Sequence, residues 1–129
     1  NLKWAVNKVG LDSYVKSQEN GYDTILNSDP RKTPRSIVQK ILLARSIADK
    51  PRLLLLEDAF EHLDPLDRKN IVDFLTDKSN PWTLISVSQD SYLASKSDRV
   101  LVMNKGEINM TGTYDELKDV INFKSLDNA

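Results

Sequence analysis

Apolar positions in this chain fall into short blocks separated by polar turns, and the blocks change period along the way. Leu2, Trp4, Ala5, Val6 and Val9 share one face of a helix, and Gly10 is placed to end it. A short helix is expected over Ser13–Ser17, and the polar run Asn27–Lys32 reads as a loop. Thr33-Pro34 resembles a helix start, with a hydroxyl to cap and proline in the first turn. That helix should reach about Asp49, with Ile37, Val38, Ile41, Leu42 and Ala48 inward, before Pro51 breaks it.

Leu53-Leu54-Leu55-Leu56 is an unbroken apolar run. Alternation would predict a strand with one wet face, whereas an unbroken run predicts burial on both faces, as in a parallel sheet. Asp64-Pro65 opens another helix with Ile71, Val72, Phe74 and Leu75 inward, and Thr83–Val87 is a second strand. Tyr92–Lys96 is a short helix and Val100–Met103 a third strand. Asn104-Lys105-Gly106 turns the chain into Glu107-Ile108-Asn109, and Thr113 to Glu116 is a capping box for a last helix. Alternating strands and helices imply an α/β layer structure with parallel strands and right-handed crossovers.

Composition narrows the chemistry. The 129 residues include 18 Lys+Arg and 19 Asp+Glu, a net charge of −1, with 40% hydrophobic and 29% charged. That balance allows one modest domain with a real core and argues against a nucleic-acid partner. The absence of cysteine excludes a disulfide framework, a thiolate metal site and a cysteine nucleophile. No apolar run approaches the roughly 18 residues of a membrane span. The chain opens on Asn1 rather than Met, and a piece of a longer protein is expected.

Glu57-Asp58 is the strongest candidate for chemistry. Ligands of open parallel sheets bind beyond the carboxyl ends of the strands, and the Leu run delivers two acids to such an end. They suit a metal ion and an oriented water, and equally a solvated turn. Trp4 and Trp82 read as packing residues, and His62, the single histidine, as an exposed or interface residue.

The order of pieces carries more than any one of them. Ile41–Ile47, Pro51-Arg52, Leu53–Ala59, Leu63-Asp64, Thr83–Ser88, Ser97–Val100, Lys105–Ile108 and Gly112–Leu117 form a series that strongly resembles the C-terminal part of an ABC transporter ATPase domain. Gly21-Tyr22-Asp23-Thr24 resembles the segment ahead of the signature motif in exporter-type members. The resemblance implies part of a RecA-like, parallel-sheet P-loop NTPase core with a C-terminal β-hairpin. Residues 1–34 would be the tail of the helical subdomain with the signature loop, and 35–129 the rest of the core. It makes Leu53–Asp58 the Walker B strand and Ala59–Asp64 the D-loop. Gln89 falls at the switch-histidine position, and Thr33–Ile37 at the signature loop.

Three positions depart from that family's pattern. Walker B ends Glu57-Asp58 in place of Asp-Glu, which moves each reactive oxygen by roughly an ångström, and such a misplacement can cost about 10²-fold. Gln89 can hydrogen-bond a γ-phosphate but cannot carry a proton. Pro34 lacks an N–H and Arg35 is bulky where the family's glycines allow close approach. A phosphate-cradling loop with Gly and Lys does not occur in these residues, so ATP and Mg²⁺ are expected to bind the chain poorly alone.

By the resemblance, Glu57 is the Mg²⁺-side acid, Asp58 orients water, and Gln89 meets the γ-phosphate. Thr33, Arg35, Ser36 and Asp64 would face the nucleotide of a second nucleotide-binding domain. The expected partners are that domain and a transmembrane domain, at the cytoplasmic face of the membrane, with no nucleic acid. The expectation is transport coupled to ATP, with impaired hydrolysis. A pseudo-ATPase that binds and dimerises without turnover is one alternative; a soluble ABC-like ATPase acting on DNA or ribosomes is another.

Overall fold

In a computed structural model, residues 1–29 and 31–121 are described, so the last eight residues of the expected core portion lie outside the described residues. The chain forms two units, Asn1–Ser86 and Val87–Ala129.

In the first unit, α1 (Leu2–Lys8) is followed by Gly10 at φ 74°, a left-handed turn that glycine enters freely. After it come α2 (Asp12–Ser17) and a single 3-10 turn at Gly21–Asp23. Ala5, Val6, Val9 and Leu11 are buried, and α1 packs on α3 (Arg35–Ile47).

Two expectations about α3 are corrected. Thr33 is not its cap. Pro34 takes the N-cap position, and its carbonyl accepts from the Ile37 and Val38 N–H groups at 3.0 and 3.2 Å. Proline loses nothing there, since no helical N–H is required of that residue. The buried stripe is also turned from the expected one. It runs Lys40, Leu43, Ala44, Ile47, an equally good helical period, while Val38 and Leu42 are exposed. The stripe could be hidden from a count of apolar residues because one of its members is a lysine.

Strand β1 (Leu53–Glu57) pairs in parallel with β2 (Thr83–Val87). Its burial alternates: Leu54 and Leu56 are 3% and 9% exposed, Leu53 and Leu55 51% and 65%. The expected burial of the Leu run on both faces is therefore not found among the described residues. One face packs and the other, continued by Ile85, is uncovered by them.

Between these strands, α4 (Pro65–Thr76) starts where Asp64 caps it and buries Ile71, Val72 and Leu75. Trp82 donates Nε1–H to the Leu75 carbonyl at 2.9 Å. Phe74 stands edge-on between Trp82 and Trp4, with ring centres 5.8 and 5.9 Å away. Both tryptophans serve packing, as expected.

The second unit holds α5 (Ser91–Lys96), β3 (Val100–Asn104), β4 (Glu107–Gly112) and α6 (Tyr114–Leu117). The third expected strand belongs to an antiparallel hairpin with β4, not to the parallel pair. Lys105 and Gly106, both at positive φ, make its turn, and the register shifts between Val102 and Met103. Thr113 caps α6 by accepting from the Glu116 N–H, and Leu93, Ala94 and Leu117 are buried.

Candidate functional site

β1 ends on Glu57 and releases Asp58 into a sharp turn at φ 46°. Few side chains tolerate that left-handed region, and aspartate is among the better ones. Both carboxylates are exposed at the carboxyl end of a parallel strand, where charge is not quenched by burial and a ligand has access.

The turn that follows, Asp58 to Leu63, is tied to α3 and α4 through side chains that no motif singled out. Gln39 donates Nε2–H to the Asp58 carbonyl at 3.3 Å, and its Oε1 accepts from the His62 N–H at 2.9 Å. The next residue, Lys40, places Nζ 2.6 Å from Asp67 Oδ2. Its side chain is 9% exposed, against 35% for its partner, so a nearly buried ammonium is neutralised by a half-wet carboxylate. Asp64 closes the turn by accepting from the Asp67 N–H at 2.9 Å. That backbone hydrogen bond, helped by the Lys40 charge, holds the Asp64 carboxyl below its usual range. No signal in the sequence sets Gln39-Lys40 apart from the other polar residues of α3.

The residues expected to meet nucleotide are divided. Thr33, Arg35, Val38 and His62 line one cavity of about 410 Å³ with Asn27 and Ser28. Thr33 is 5% exposed, while Arg35 and His62 are exposed. Ser36 is half-buried in the first turn of α3, and Asp64 is occupied as a helix cap. Gln89 is exposed and lies in the second unit, directly ahead of Asp90, which caps α5.

The donor set suits a magnesium ion that takes one or two carboxylates and completes its shell with phosphate oxygens and water. Glu57 and Asp58 would supply the carboxylates. Among the described residues no three His, Cys, Asp or Glu side chains gather into a cage that would hold a metal unaided. No described helix is long and apolar enough to cross a membrane.

No family model matches the chain. Individual relatives do. It is 31% identical over 108 residues to the ABC multidrug transporter MDR5 of Trichophyton rubrum, covering 84% of this chain and 8% of the relative. It is 32% identical over 116 residues to ProV of Escherichia coli, the glycine betaine/proline betaine transport system ATP-binding protein, covering 88% and 26%. To EcfA1 of Halalkalibacterium halodurans, an energy-coupling factor transporter ATP-binding protein, it is 30% identical over 94 residues, covering 72% and 34%. The chain thus spans about a third or less of the length of these curated relatives. The structure of a bacterial Atm1-family ABC exporter with ATP bound superposes with a TM-score of 0.80 at 23% identity, covering 92% of this chain and 21% of that one, which shows the fold.

Proposed function

We propose, for a chain homologous over most of its length to ABC transporter ATP-binding proteins, that it is the C-terminal portion of a nucleotide-binding domain. The whole protein would couple ATP binding, and slowed hydrolysis, to movement of a solute across a membrane. Residues 1–34 would belong to the helical subdomain and signature loop, and 35–129 to the ATPase core. The domain would work at the cytoplasmic face against a transmembrane domain and a second nucleotide-binding domain.

The observation that carries this reading is the acid pair at the carboxyl end of β1, held in an ordered turn. Glu57 would be the Mg²⁺-side acid, and Asp58 would orient the water. The ion, when present, supplies charge neutralisation between phosphate oxygens. Phosphoryl transfer to water needs placement and electrostatics more than covalent chemistry, so the position of each oxygen sets the rate. Gln89 would hydrogen-bond the γ-phosphate. Thr33, Arg35 and Ser36, with Asp64 behind them, would face the partner's nucleotide.

A second reading, a pseudo-ATPase that binds nucleotide and dimerises without turnover, is favoured by Pro34. At the N-cap of α3 it removes a backbone N–H from the place where phosphate would be met. Steady-state ATPase activity of the full-length protein separates the two. The expected result is slow turnover that rises about 10²-fold when the acids are exchanged by Glu57→Asp with Asp58→Glu. Binding without turnover in both forms selects the pseudo-ATPase. Failure to bind ATP in either form removes both readings.

A further inference from the structure

Gln39 commits both ends of its carboxamide to the turn after β1. Nε2 donates to the Asp58 carbonyl at 3.3 Å, and Oε1 accepts from the His62 N–H at 2.9 Å. The orientation is dictated by the partners. A carboxamide turned over would set oxygen against the Asp58 carbonyl and N–H against the His62 N–H. The side chain therefore pairs with the turn much as one strand pairs with the next, through a donor and an acceptor side by side.

The residue whose carbonyl it holds is the one at φ 46°. A non-glycine residue stays in that region where its surroundings over-determine it. Lys40 ties the same helix to Asp67 in the first turn of α4, and Asp64 binds the Asp67 N–H. The turn is thereby held at its start, its middle and its end, and two consecutive residues of α3 provide most of the hold.

We infer that Gln39 is a positioning residue whose amide keeps Asp58 in its left-handed conformation and so sets the direction in which the Asp58 carboxylate leaves the strand. This rests on the reading of Asp58 as the water-orienting acid. Arg35 and Val38, at the start of α3, line the cavity together with His62, whose N–H is bound by Gln39.

Two variants of the full-length protein test this. Gln39→Leu removes both hydrogen bonds at similar size. Gln39→Glu keeps an acceptor for the His62 N–H and places a second oxygen against the Asp58 carbonyl. Measured together are kcat and KM for ATP, melting temperature, amide hydrogen exchange at His62 and the backbone carbon shifts of Asp58. Expected for Gln39→Leu are a kcat lower by about 10²-fold with KM unchanged, His62 exchange faster by up to about tenfold and altered Asp58 shifts. Expected for Gln39→Glu are the same kcat loss and altered Asp58 shifts with His62 protected as in the wild type.

Wild-type kcat and Asp58 shifts in Gln39→Leu overturn the inference. So does a kcat loss that follows melting temperature equally in both variants, because that marks a merely structural role. If the wild-type protein turns over no ATP, the functional reading falls separately. The Asp58 shifts then decide for the latch: altered in both variants supports it, unchanged overturns it.

Discussion

Asn27 and Ser28 reach the cavity from the loop ahead of α3, and His62 reaches it from the turn after β1. The first loop is tied to itself. Asp29 N–H donates to Asn27 Oδ1 at 2.9 Å, and Arg31 donates from its backbone and guanidinium to Asp29, partners two positions apart. The second is tied across the fold, to Gln39 over 19 and 23 positions, while Lys40 reaches Asp67 over 27. A local tie shapes a turn without fixing where the turn stands. A distant tie does both, because it closes a long stretch of chain and opposes the entropy of that closure. The acid pair stands next to the turn of the second kind, where ångström-level placement has chemical value.

The largest effect that would sharpen this contrast comes from Asp67→Ala, which strands the Lys40 ammonium. Urea unfolding should show a loss of about 2 kcal/mol, below the value for a fully buried pair because Asp67 is partly wet. Lys40→Met removes the buried charge itself and should cost less, about 1 kcal/mol. Equal losses in the two variants would mean that a stranded ammonium carries no extra cost and reaches water instead.

Acid acts on both loops in the same direction. The Asp29 carboxyl is held low by the Arg31 side chain, then by its backbone N–H, and Asp64 by the Asp67 backbone N–H. An Asp that binds its proton more weakly when folded stabilises the fold above the ordinary pKa of about 3.9. It loses that contribution as pH falls through the depressed folded value. Melting temperature should therefore decline below about pH 4. Asp64→Asn should flatten that decline, with α4 kept because asparagine also caps. The smallest effect is expected in the self-tied loop: Asn27→Ala should change unfolding free energy by less than about 0.5 kcal/mol. A larger loss there would break the comparison.

The sequence disclosed much of what is written in local chemistry, the Thr33 cap of α3 excepted. Asp64-Pro65 capped α4 as expected, Lys105-Gly106 turned the hairpin, and the Leu run delivered Glu57 to a strand end. What it concealed depends on partners distant in the chain. The inward stripe of α3 contains Lys40, which hydropathy counts as outward, and only the approach of Asp67 makes it buriable. Gln39 looks like any helical polar residue until the turn after β1 is laid beside it. The Leu run misled because continuity of apolar residues reports the burial a strand can take, not the cover that the described residues give it.

The left-handed backbone at residue 58 bears on how the two acids are arranged. Aspartate's short side chain can satisfy its own main chain locally in that region, and glutamate's longer one is less suited to do so. Reversing the pair thus exchanges reactive groups and also installs a poorer occupant at a bent point of the chain. The Asp58→Glu single change measures that second contribution, and its melting temperature gives the baseline against which the reversed pair should be judged.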